Sequence, residues 1–169
     1  MKPVAFSRTA LCASVLLCLL AGAEARPGDT GLLPEVLGTA EIYAADSNSG
    51  LALRGRDPVA YQVSGVPRVG VNGHEALWSG LGWRFASEAN RAAFLRSPEA
   101  FAPRVGGYDA EEASKGRLVE ADPDIFLVRS GRLYFFRTTA ARARFEADAA
   151  AASRAEANWP RLQKVLVRG

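Results

Sequence analysis

The apolar positions of this chain follow three different rhythms. From Ala10 to Ala23 they form an uninterrupted apolar and small-residue run. From Leu51 to Phe145 they alternate over short stretches that end in turn residues, the mark of hairpin strands. Two aromatic strands are predicted in this way, one carrying Trp83 and Phe85 and the other Tyr134 and Phe136. Ser79-Gly80 and Ser130-Gly131 precede them as tight turns. Ser87 and Thr138 follow as helix caps, because their side-chain oxygens can accept from the free N–H groups of a first turn. Phe94 and Phe145 then lie two turns into the helices, on the face that can pack back on the aromatic strand.

These features recur at an offset of 51 residues, and Arg91 and Arg142 obey it too. The repetition predicts two β-hairpin-plus-helix units and an α+β class. Asp57-Pro58 predicts a further helix start. The Ala-rich stretch after Phe145 predicts a long C-terminal helix to about residue 157, broken by Trp159-Pro160.

The first apolar run changes the picture of the N-terminus. Lys2 and Arg8 precede it, and Ala23-Glu24-Ala25 follows it as a small-x-small cleavage pattern. Residues 1–25 are therefore expected to be a removable signal peptide, and the remainder periplasmic or secreted. Residues 26–50, rich in Gly, Pro, Asp, Ser and Asn, read as a leader segment. Residues 51–169 read as one small domain. Removing the signal takes away both cysteines, Cys12 and Cys18, and the only methionine. Disulfides, which export would permit, then cannot form. Loss of Lys2, Arg8 and Glu24 lowers the formal charge from +3 to +2, so neither nucleic acid nor a membrane surface is an expected partner. The expected partner is an unidentified protein or small molecule, and no cofactor is expected.

Four motifs carry a family resemblance. They are Asp57-Pro58-Val59-Ala60-Tyr61; the segment Trp83 to Arg91; Phe101-Ala102-Pro103 followed by Gly106-Gly107-Tyr108; and Asn158-Trp159-Pro160. Together, from about Leu51 to Leu162, they resemble the exported YHS-domain proteins of bacteria. The resemblance implies a metal- or redox-related setting. It also places the family's cysteines at Ala86 and Asn90, and a cysteine or selenocysteine directly after Gly-Gly-Tyr, where this chain has Asp109. An aspartate is no thiol nucleophile, redox group or soft-metal ligand.

The candidate ligand site is accordingly Asp57, Tyr61, Gly107, Tyr108 and Asp109, with no catalytic residue and no metal ligand assigned. The expected function is a non-enzymatic binding or accessory module. Two alternatives centre on Asp109: a hard-metal or small-ligand binder, or an acid/base enzyme. Carboxylates Asp109, Glu111 and Glu112 would suit a hard cation, though surface charge and capping explain them as well. Tyr61, Tyr108, Trp78, Trp83 and Trp159 are either core or the wall of a pocket. His74, the only histidine, reads as an exposed strand-end residue, since adjacent Glu75 would point to the other face of a strand. The Gly pair lacks the Lys-Ser/Thr ending of a phosphate loop. A buried Asp109 beside another carboxylate would favour the enzyme, whereas one bonded to backbone N–H groups would be a structural substitute.

Overall fold

The computed structural model describes residues 42–166, all within one compact unit, Val36–Gly169. The segment expected to be a signal peptide, residues 1–25, and most of residues 26–50 lie outside the described residues. The fold is α+β. Its elements are α1 (Pro58–Val63), β1 (Glu75–Trp78), β2 (Leu81–Arg84), α2 (Glu88–Arg96), α3 (Pro98–Phe101), α4 (Ala110–Ser114), β3 (Asp122–Arg129), β4 (Arg132–Phe136), α5 (Thr139–Ala147) and α6 (Ala151–Leu166). The strands pair as two antiparallel hairpins, β1 with β2 and β3 with β4. Both hairpins turn on Ser-Gly. Ser79 and Gly80 have φ of 51° and 79°, and Ser130 and Gly131 have 52° and 70°. Positive φ at both positions matches the right-handed strand twist, which is why this turn closes two-residue hairpins.

Each hairpin feeds a capped helix, as the 51-residue repetition predicts. Ser87 accepts from the Asn90 N–H at the start of α2, and Thr138 accepts from the Ala141 N–H at the start of α5. Phe94 lies against Phe85 and Trp83, and Phe145 against Phe136 and Tyr134, with ring centroids 5.1–5.2 Å apart. Strand β4 joins the two cores. Leu133 and Phe135 point into the core of the first unit, and Tyr134 and Phe136 into that of the second. Successive strand residues face opposite ways, so one strand buries aromatic surface on both sides.

The C-terminal helix departs from expectation. The Ala-rich stretch forms two helices, with Asp148 at the break accepting from the Ala150 N–H. Pro160 lies inside α6 rather than ending it. Proline removes one helical hydrogen bond. The helix is nevertheless held on both sides of it by packing of Ala155 and Leu162 in the second core. Asn158 explains part of this anchoring: its amide donates to the carbonyls of Ala113 and Ser114 at the end of α4, 3.0 and 3.1 Å away. The last part of the leader also belongs to the packed structure. Tyr43 and Ala45 pack on the first core, and the Ala44 N–H donates to the Gly106 carbonyl.

Candidate functional site

The site expected after Gly-Gly-Tyr is built on a left-handed turn. Val105, Gly106 and Gly107 all have positive φ, 47°, 65° and 82°. A side chain at Gly106 would run into the Ile42 carbonyl and the Trp159 ring. Gly106 is thus required twice, by conformation and by close approach. An equivalent left-handed turn stands in the first unit, where Leu53, Arg54 and Gly55 have φ of 54°, 50° and 75°.

Each turn leads to a buried aspartate. Asp57 and Asp109 are both almost fully inaccessible. Asp57 caps α1 by accepting from the N–H groups of Val59 and Ala60. Its other oxygen accepts from the Ala86 N–H at 2.8 Å and the Asn90 amide at 2.6 Å. Asp109 caps α4 by accepting from the Glu112 N–H at 3.0 Å, and its other oxygen accepts from the Arg137 N–H at 2.7 Å. Both carboxylates are therefore occupied by internal donors. The two positions that the resemblance links to metal-binding cysteines, Ala86 and Asn90, converge on Asp57 through nitrogen donors instead.

The five candidate residues divide accordingly. Tyr61 is core: its hydroxyl donates to the Pro123 carbonyl at 2.9 Å, and its ring meets Phe126 and Phe135 edge-on. Burial pushes its hydroxyl pKa well above the usual tyrosine range. Asp57 and Asp109 are internal clamps. Gly107 and Tyr108 line a cleft of about 550 Å³. The opposite turn contributes Leu53 and Arg54 to that cleft, the leader contributes Asp46 and Asn48, and Glu120 completes the rim. Arg54 is exposed and makes no hydrogen bond or ion pair among the described residues. Sequence reading overlooked it because the second left-handed turn carries no glycine pair to mark it.

The five aromatic residues do not form one pocket. Trp83 and Tyr61 are buried core, Tyr108 lines the polar cleft, and Trp78 and Trp159 line a second cleft with Tyr43. His74 is half-buried at the start of the hairpin, with Nδ1 3.5 Å from a Glu88 carboxylate oxygen. The acidic group after Asp109 is neutralised locally. Glu111 pairs with Lys115 and with Arg144, and Glu112 pairs with Arg117. Burial raises the Glu111 pKa, but the hydrogen bonds from Lys115 and Arg144 outweigh it and hold the group at about 2. Among the described residues, no group of three or more His, Cys, Asp or Glu side chains is placed to hold a metal ion. Among them, too, no helix is long and apolar enough to cross a membrane.

Comparison with known proteins finds no family model, no curated protein and no solved structure that matches this chain.

Proposed function

We propose that this chain is a non-enzymatic, extracytoplasmic binding module of the YHS type, and that its ligand enters the polar cleft beside Gly107 and Tyr108. The observation that supports this most directly is the state of Asp109. Both of its oxygens accept backbone N–H groups, so the residue at the family's reactive position acts as a structural clamp. A proton-transfer group needs an oxygen within reach of the substrate, and a hard-metal ligand needs one for the ion. What the turn offers a ligand instead is the wall of Gly107 and Tyr108, with the exposed guanidinium of Arg54, whose charge also acts on the Asp46 carboxylate of the same cleft. An arginine presented in this way suits a small polar ligand with a carboxylate or similar acceptor.

Thermal unfolding of the purified protein against a panel of small carboxylates, with magnesium and calcium included, tests the reading. At least one carboxylate should raise the Tm, and Arg54→Ala should remove the shift. Shifts produced only by the cations, or turnover of a bound compound, would replace it with the metal-site or the enzyme reading.

A further inference from the structure

A second cleft, of about 480 Å³, adjoins the same leader segment and left-handed turn, and its chemistry is different. Its walls are aromatic. Tyr43 and Trp78 come from the leader and β1, with ring centroids 5.3 Å apart, and Trp159 comes from α6. All three rings are half-buried, so each is held by packing and still presents surface. Tyr43 and Trp78 both rest on buried Trp83, and Trp78 also on Phe94, which fixes their orientation.

The charged residues of the cleft are Glu99, Arg104 and Glu156. Arg104 and Glu156 are committed. The Arg104 Nε donates to Glu156 at 3.2 Å, and the same carboxylate accepts from Arg132 and from the Tyr134 hydroxyl at 2.8 and 2.7 Å. Burial pushes the Glu156 pKa up, but the hydrogen bonds from Tyr134 and Arg104 prevail and lower it, so this carboxylate stays ionised and engaged. Glu99 is different. It is exposed in the first turn of α3 and makes no hydrogen bond or ion pair among the described residues. Its charge reaches the aromatic wall: burial first, and then Glu99, push the Tyr43 hydroxyl pKa up, against an opposing pull from Arg104.

Each ligand class makes a different demand on such a cleft. An anion needs an uncommitted cation, and Arg104 is held by Glu156. A sugar needs several uncommitted polar side chains, and two of the three charged ones bond each other. A cation needs aromatic rings and one unbalanced carboxylate, and the half-buried rings of Tyr43, Trp78 and Trp159 with exposed Glu99 provide that set. A quaternary ammonium group fits best, because ring faces attract its charge without asking it for hydrogen-bond donors. We propose that this aromatic cleft binds a small organic monocation of the quaternary ammonium class, with the rings against the methyl groups and Glu99 as the counter-charge. The proposal is independent of the polar cleft and of the binding-module reading.

Intrinsic tryptophan fluorescence provides the readout, since Trp78 and Trp159 line the cleft. Purified protein is titrated with choline chloride, with its neutral isostere 3,3-dimethyl-1-butanol, and with maltose, at constant ionic strength. Choline should give a saturable change, and the neutral isostere should bind at least about fivefold more weakly, the factor expected from the loss of one cation–π and carboxylate attraction. Glu99→Gln, a surface change that leaves the rings in place, should weaken choline by a similar factor. Equal binding of choline and its isostere would overturn the proposal in favour of a plain apolar cleft. Saturation by maltose but not choline would overturn it in favour of a sugar site, and the absence of any saturable change would overturn it outright.

Discussion

Asp57 and Asp109 hold the same place in the two halves of the fold. The Asp57 N–H donates to the Arg68 carbonyl and the Asp109 N–H to the Val119 carbonyl, both at 2.9 Å. Each side chain caps the helix that follows it. Each then reaches the residue that ends its unit's hairpin, Ala86 or Arg137, through a backbone N–H. One aspartate thus ties three pieces of chain in each unit, and the duplication extends upstream of the hairpins into the left-handed turns. The aspartate after Gly106-Gly107-Tyr108 is accounted for by the fold: it repeats Asp57.

Loss of either aspartate should be costly. Replacement by alanine leaves N–H donors unpaired, buried ones at Val59 and Ala60 and part-buried ones at Ala86, Asn90, Glu112 and Arg137, and a fully buried one costs about 1–3 kcal/mol. Asp57 serves four donors and Asp109 two. Urea unfolding should therefore show Asp57→Ala as the more damaging, by about 3–5 kcal/mol against about 2–3 kcal/mol for Asp109→Ala. Equal and small losses would mean that water replaces the carboxylates.

A thiol placed at Asp109 should stay silent. Asp109 is 1% exposed. In Asp109→Cys the new sulfur would be enclosed, and that enclosure keeps the reagent out even though the start of α4 favours a thiolate. Alkylation by iodoacetamide should be slow in the folded protein and fast in urea. Rapid native labelling, with the unfolding midpoint unchanged, would show that the position opens to solvent.

The two glycines of Gly106-Gly107 should respond unequally to alanine. Both have positive φ, a strain of order 1 kcal/mol for a side chain. At Gly106 the added carbon also meets backbone and the Trp159 ring, whereas at Gly107 the nearest atom, in Pro103, is 3.4 Å away. Gly106→Ala should lower the Tm clearly more than Gly107→Ala. It should also shift the Trp159 fluorescence, because the ring has to move.

Glu111 should mark the acid limit of the fold. Its folded pKa lies near 2, below the ordinary value of 4.5. A carboxyl depressed on folding contributes stability that is fully present above the unfolded pKa and is lost as pH falls toward the folded one. Stability should therefore decline between about pH 4.5 and pH 2. Glu111→Gln should flatten that limb while costing stability at neutral pH. An unchanged acid limb would place the acid sensitivity elsewhere.

Much of this architecture is local, and local interactions are legible in sequence. The Ser-Gly turns need only two residues with positive φ, and the caps Ser87 and Thr138 reach three residues ahead. Alternation and helical spacing then assign Trp83, Phe85, Phe94 and their counterparts to an inner face. The α+β class and the two hairpin-plus-helix units follow from these signals alone. Tertiary structure decided the rest. Pro160 stays helical because α6 is held by packing and by Asn158 on α4, neither visible in a propensity that disfavours it. Tyr61, Trp78, Trp83, Tyr108 and Trp159 divide among core and two clefts according to which distant elements pack on them, as Phe126 and Phe135 do on Tyr61. Asp109 becomes a clamp through Arg137, 28 positions further along the chain. A carboxylate's chemistry is set by the donors that surround it, and those donors are brought together only by folding.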